Sequence, residues 1–281
     1  SVSRNLPPEN KIALTGKQGT CIIPWKDRMR EEGRNMTDCV RDAGWTIPVL
    51  YEDNHLLCVE KPANLPVQAD SSLDRDLLSI LRDYIGRRYE KPGRVYLGLV
   101  HRLDRPVGGA MVFARTSKAA ARLSAQFAAH TVQKRYYAVL QGELRAETRL
   151  ENLLVSDERT GMTREARPGE AGAKKAALVS TPLLVRDGLT LADVRLETGR
   201  RHQIRVQHLL AGLPLWGDAR YGGGRPGQQI ALWAHSLTFE HPTLKTPVAI
   251  ESLPPPEGAW RKFPEYASKN SSEYAKERFD V

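Results

Sequence analysis

The sequence predicts an α+β fold on a mostly antiparallel or mixed sheet, and three observations carry that prediction. Short apolar runs of strand length recur along the chain and dominate it from Val132 to Glu197. A few segments with helical periodicity are interleaved among them. The 281 residues are 41% hydrophobic and 27% charged, proportions of a soluble globular protein that exclude bulk disorder and a fibrous repeat.

Residues 1–45 mix charge with Gly and Pro without periodicity and read as an irregular N-terminal arm. Gly16-Lys17 fails as a phosphate-binding loop, because position 11 is Lys and position 18 is Gln where such a loop needs Gly and Ser or Thr. Val49-Leu50-Tyr51 and Leu56-Leu57-Cys58-Val59, split by four polar residues, read as a hairpin. Leu77, Leu78, Leu81, Tyr84 and Ile85 line one face of an amphipathic helix. Val95–Val100 and Ala110–Ala114 read as strands around a polar link, His101–Gly109. Ser117 is placed to cap a helix with Ala120, Leu123 and Phe127 on one face. Four strands follow, over Val132–Gln141, Glu151–Val155, Ala176–Val185 and Leu189–Glu197. Gly199–Leu210 reads as a helix and Ile230–Phe239 as a late strand. Past Pro254-Pro255-Pro256 the polar tail to residue 281 reads as a peripheral helix or loose end.

Lys and Arg number 42 against 33 Asp and Glu, a net charge of +9. That surplus points to a polyanion partner, since basic faces gain affinity by releasing counterions from phosphates. No apolar run approaches the roughly 18 residues of a membrane span, and no signal-peptide pattern opens the chain. Cys21, Cys39 and Cys58 are too few and scattered for a disulfide framework or a zinc cage, and read as reduced thiols of a cytoplasmic protein.

Three segments carry candidate chemistry. His101-Arg102-Leu103-Asp104-Arg105-Pro106-Val107-Gly108-Gly109 sets one carboxylate between two arginines in a turn-rich link. Gly199-Arg200-Arg201-His202-Gln203-Ile204-Arg205 places Arg201, His202 and Arg205 about one helical turn apart. Lys134-Arg135-Tyr136-Tyr137 sends its two tyrosines to opposite faces of a strand. Taken singly, the plainer readings are a surface ion pair, a solvated basic helix face and two core aromatics. His202 and His208, like His235 and His241, are six residues apart and suit no zinc pair on a helix. Gly222-Gly223-Gly224 precedes no helix start and reads as a loop rather than a dinucleotide cradle.

Together these segments resemble the RluA-like family of RNA pseudouridine synthases. His101–Arg105 is similar to that family's signature, Lys134-Arg135-Tyr136 to its lysine-x-tyrosine strand, and Gly199–Gln207 to its Gly-Arg-x-His-Gln-Ile-Arg-Val segment. Lys61-Pro62-Ala63, Gly217-Asp218 with Tyr221, and Ala234-His235 through His241-Pro242 add to the likeness, which runs from about Pro48 to Pro247. The family's usual x-Thr-Ser-Gly after the signature is replaced by Pro106-Val107-Gly108-Gly109. Residues 1–45 lack the pattern of the small N-terminal RNA-binding domain that many relatives carry, so target selection is expected from the catalytic domain itself.

The resemblance implies an isomerase, an intramolecular transferase on one catalytic domain over 46–253, with a bent sheet and a cleft running across it. The reaction breaks the uridine N1–C1′ bond, turns the base and rejoins it through C5, which needs no redox cofactor and no metal. By resemblance Asp104 is the catalytic carboxylate, as nucleophile or as base toward the sugar, with Arg205 as its charge partner and Ile204 packed near the base. Tyr136 is expected to stack on the flipped base, an interaction of roughly 1–3 kcal/mol that offsets unstacking. Arg102 is the candidate for the vacated gap, and Lys134, Arg201 and His202 for further RNA contact. Large-subunit ribosomal RNA is the first expected target and transfer RNA the second, and a monomer is the default. The rival reading is a non-catalytic RNA-binding or ribosome-assembly protein of the same fold, which has no use for a buried carboxylate beside Tyr136 and Arg205. A metal-dependent nuclease is more remote, since no carboxylate cluster is present to hold magnesium.

Overall fold

The computed structural model describes residues 39–70 and 72–268; Cys21, the Gly16-Lys17 pair and the tail beyond Ser268 lie outside them. Twelve strands form one sheet. In chain order they are β1 (Cys39–Asp42), β2 (Trp45–Glu52), β3 (Leu56–Lys61), β4 (Gly98–Leu99), β5 (Gly108–Ala114), β6 (Gln133–Gln141), β7 (Thr148–Ser156), β8 (Thr163–Glu165), β9 (Lys174–Arg186), β10 (Leu189–Leu196), β11 (Leu232–Glu240) and β12 (Pro247–Glu251). The helices are α1 (Leu77–Arg88), α2 (Ser117–Ala128) and α3 (Gln203–Leu210).

The strand order is β1-β2-β3-β5-β11-β6-β10-β9-β7-β8, with β12 on β11 and β4 on β5. The described pairings are antiparallel except β5 with β11, where Gly108 and Gly109 lie beside Trp233 and Ala234. The α+β reading with a mixed, mostly antiparallel sheet therefore holds. Register shifts at Val49/Tyr51, Leu191/Ala192 and Ala234/Ser236 are the bulges that bend such strands.

Each helix follows from its sequence. The Asp76 side chain accepts from the Ser79 amide and caps α1, which buries Leu77, Ile80, Leu81 and Ile85. Thr116 caps α2 through the Ala119 amide, so the cap lies one residue before the predicted Ser117. The face of Leu123, Ala120 and Phe127 meets the core as expected. Helix α3 starts at Gln203, four residues later than Gly199, because 199–202 form a turn anchored to β9.

Two apolar clusters cover the face of the sheet that carries the site. One packs α1 on β2, β3 and β5, the other packs Ile204 of α3 on β6, β10 and β11. Tyr136 touches both, as their bridge. The other face is covered by α2, which packs on β3, β5, β11 and β12, and by two 3₁₀ turns, Gly258–Lys262 and Pro264–Tyr266. Of the two readings of the stretch after Pro256, a peripheral helix is the nearer as far as Ser268: the two 3₁₀ turns bury Trp260 and Phe263, whose apolar area holds the chain down. Part of the expected N-terminal arm is ordered too, since Cys39–Asp42 pairs with Trp45–Pro48. The predicted strand over 95–100 shrinks to Gly98–Leu99.

Candidate active site

The link between β4 and β5 is held at both ends. Leu103 is buried in the α1 cluster and Val107 in the α3 cluster, so the link spans the two. A turn closed by the Val107 amide on the Asp104 carbonyl, 3.0 Å, sets the carboxylate on the site side. Lys61, fully buried, donates from Nζ to the carbonyls of Pro62 and Arg105, at 2.9 and 3.0 Å. Burial lowers its pKa to about 7, against the opposing pull of the Asp104 charge. Arg105 donates from Nε to the Asn64 carbonyl at 3.1 Å and pairs with Asp70 and Asp74, so it braces the link. Gln229 donates to the Pro106 carbonyl at 2.6 Å.

The second half of the site comes from the turn before α3. Gln203 is its fastener: Oε1 accepts from the Thr198 hydroxyl and the Arg200 amide, at 2.8 and 2.9 Å, and Nε2 donates to the Ala177 carbonyl at 3.0 Å. Arg205, 5% exposed, then reaches Asp104. Its Nη1 lies 3.2 Å from Asp104 Oδ2, while Nε and Nη2 grip the two oxygens of Asp218 at 2.8 and 2.7 Å. The bidentate partner of Arg205 is therefore Asp218, and Asp104 takes the donor left over. Burial works against the Arg205 charge, but the two carboxylates outweigh it and raise its pKa. The Asp104 side chain stays 27% exposed, whereas that of Asp218 is at 1%.

His202 is buried, with Nε2 3.6 Å from Asp104 Oδ2 and Nδ1 2.8 Å from the Tyr221 hydroxyl. Burial lowers its pKa to about 4 although Asp104 pulls the other way. Tyr136 is half-buried; desolvation and the Asp104 charge both raise its phenol pKa. Tyr137 points to the other face, stacked on His235 with centroids 3.8 Å apart. Lys134 borders Gly199, and burial together with the Arg200 charge lowers its pKa. Ile204 is buried beside Val107. Arg102 and Arg201 are exposed; the Arg201 guanidinium lies over Gly161 in the β7–β8 turn. Asp104, Arg205, His202 and Tyr136 thus converge, while Arg102 and Arg201 stand apart from the carboxylate.

Asp218, Tyr221 and Lys61 belong to the site and had no role in the sequence-based reading. Their signals, Gly217-Asp218 with Tyr221 and Lys61-Pro62, were visible only as motif fragments, because nothing local shows what a lone Asp or Lys will face. His208 is a core residue, bonded to the Ile204 carbonyl and the Ser180 hydroxyl at 2.8 and 3.0 Å. Among the described residues no group of three or more His, Cys, Asp or Glu is placed to hold a metal ion.

The sequence pattern of the family described as RNA pseudouridylate synthase matches residues 55–210. An RNA pseudouridine synthase of Bacillus subtilis is 33% identical over 209 residues, covering 73% of this chain and 68% of the relative. Ribosomal large subunit pseudouridine synthase D of Zymomonas mobilis is 32% identical over 210 residues, covering 70% of this chain and 65% of the relative. The chain thus spans about two thirds of the length of these curated relatives. The solved structure of human RNA pseudouridylate synthase domain containing 1 superposes with a TM-score of 0.60 at 22% identity, over 85% of this chain and 98% of that one, and so shares the fold. With more than half of its length matched by the family pattern and a carboxylate, arginine and tyrosine gathered where the matched motifs meet, the chain belongs to the RNA pseudouridylate synthase family of isomerases.

Proposed function

We propose that this protein isomerises uridine to pseudouridine in structured RNA through Asp104, with large-subunit ribosomal RNA as its substrate. The observation that carries the reading is the asymmetric grip on Asp104. Arg205 and His202 both face Oδ2, neither takes Oδ1, and the side chain is 27% exposed. Arg205 supplies the positive charge beside this carboxylate, and Asp218 holds the other two guanidinium donors in place.

In the reaction N1–C1′ breaks and C5–C1′ forms, while C5 loses a proton and N1 gains one. Asp104 Oδ1 serves the sugar side of that exchange, as nucleophile or as base. Tyr136 supports the flipped base and Ile204 borders it. Lys134 and Arg201 meet the phosphates, and Arg102, exposed at the rim, fills the gap in the RNA stack. The choice of ribosomal RNA follows the name of the Zymomonas relative. On this proposal the chain is a monomer acting in the cytoplasm, and the free, buried Cys58 thiol is compatible with a reducing compartment.

Mapping pseudouridines in RNA from cells carrying the wild-type protein, no protein, or Asp104→Asn tests this. A large-subunit site that vanishes in both altered strains is expected. A lost site in transfer RNA instead would replace the substrate, and a site retained with Asp104→Asn would remove Asp104 from the chemistry.

A further inference from the structure

The turn that starts α3 contains a backbone oddity. His202 has φ +52°, in the left-handed region that non-glycine residues seldom adopt. It occupies the N-cap position of α3, yet its side chain caps nothing. The imidazole is committed elsewhere, between a buried tyrosine and Asp104.

The hydrogen bonds around that ring favour one place for its proton. The Thr163 amide donates to the Tyr221 hydroxyl at 2.9 Å, so Tyr221 oxygen is already an acceptor. Its own hydrogen needs an acceptor, and His202 Nδ1 lies 2.8 Å away. An Nδ1 that accepts, carrying no hydrogen, gives the Tyr221 hydroxyl hydrogen its partner. A neutral imidazole then bears its hydrogen on Nε2, the atom that faces Asp104 Oδ2 at 3.6 Å. His208, one helical stretch along, has the opposite arrangement, with Nδ1 donating to the Ile204 carbonyl and Nε2 accepting from Ser180.

We propose that His202 is a positioning residue for Asp104, presenting a neutral Nε2–H donor to Oδ2, and that Tyr221 selects this tautomer. The proposal rests on the reading of Asp104 as the reacting carboxylate. Neutrality matters to the charge balance. Asp104, Arg205 and Asp218 together carry one net negative charge, and a neutral donor steadies Asp104 without cancelling it. An imidazolium would cancel it and weaken Asp104 as nucleophile or base. The groups that face His202 are Asp104 from the signature link, Arg205 from its own helix, Arg201 beside it, and Arg220 and Tyr221 from the turn after Asp218. Burial and three arginines oppose protonation, and only Asp104 favours it. The 3.6 Å separation exceeds a hydrogen bond, and such contacts close when substrate expels water. With His202 and Arg205 on the same oxygen, Oδ1 is the one presented to the ribose.

Three variants and one spectrum test this. His202→Asn suits the left-handed backbone and lets its amide meet Tyr221, but it cannot reach Asp104. His202→Gln is long enough to return a donor near the Nε2 position. At saturating RNA, His202→Asn should lower kcat by roughly ten- to a hundredfold, as loss of a donor to a charged group does, with KM little changed. His202→Gln should restore most of that loss. Tyr221→Phe removes the donor to Nδ1, so His202 takes up a proton more readily. Activity should then fall away at a higher pH on the acid side than in wild type. In ¹⁵N-histidine-labelled wild-type protein at neutral pH, the His202 ring should show a hydrogen on Nε2 and none on Nδ1.

Wild-type kcat in His202→Asn, or an Nδ1-protonated or doubly protonated ring in the spectrum, would overturn the proposal. The spectrum decides the matter even where a variant fails to fold. Asp104→Asn in the same assay separates the two layers. If it is inactive while His202→Asn is normal, only the role of His202 falls; if it is active, the reading of Asp104 itself fails.

Discussion

The two arginines that flank Leu103-Asp104 have separate tasks. Arg102 is exposed and makes no ion pair or hydrogen bond among the described residues, whereas Arg105 holds the Asn64 carbonyl, Asp70 and Asp74. Arg102→Ala should therefore change stability by no more than about 0.5 kcal/mol, the usual range for a surface change, yet lose activity on structured RNA. Its deficit should shrink on an RNA whose uridine is already unstacked, where less flipping cost has to be offset. Arg105→Ala should lower stability by about 1 kcal/mol, since its pairs are solvent-exposed and individually weak. Thermal melts with activity on a stacked and an unstacked substrate check both. An equal deficit of Arg102→Ala on the two RNAs would make it a phosphate contact.

The link from β4 to β5 depends on strand packing that leaves no room for side chains. Gly109 has φ +121°, and a Cβ there would run into the backbone of Ala234, while one on Gly108 would enter the Trp233 ring. These two residues let β5 pair in parallel with β11 immediately after the site turn. Gly109→Ala should cost about 2 kcal/mol or more, read as a lower urea midpoint, and an unchanged midpoint would show that this close approach is dispensable. Much of this level was legible in the sequence. The 49–59 hairpin, α1, α2 and the long strands β6, β9 and β10 have clear periodicity; β6 and β10 match their expected bounds within one residue, while β2 begins at Trp45 and β9 at Lys174, earlier than expected. The misses have physical causes. Strands β1, β8 and β12 span only three to five residues, too few to show an alternation, although each pairs with its neighbour in sequence. The turn at 199–202 is stabilised by Gln203 reaching β9, a contact no local pattern encodes. Trp260 and Phe263 sit in a polar stretch, so their burial is set by the sheet face above them. Asp104, Tyr136 and Arg205 were visible because their motifs are dense, whereas Asp218 is a lone carboxylate whose pairing with Arg205 and with the Arg220 and Tyr221 amides only the fold reveals.

Across the whole molecule, the sheet lets two remote segments meet over Tyr136. The 101–107 link rests on both clusters of the site face, and α3 brings Arg205 and His202 to it from about a hundred residues away in sequence, while the 3₁₀ turns and α2 seal the opposite face. The net charge of +9 suits an RNA partner and predicts binding that weakens with salt. If Asp104 drives exchange of the glycosidic bond from N1 to C5, C5 must then lose its hydrogen. Release of tritium from RNA labelled at uridine C5, followed under single turnover with purified protein, measures that step itself. Wild-type protein should release the label stoichiometrically from its target uridine, and Asp104→Asn should release none while binding the same RNA within about tenfold, or 1.4 kcal/mol. Label released by Asp104→Asn at the wild-type rate would contradict the account.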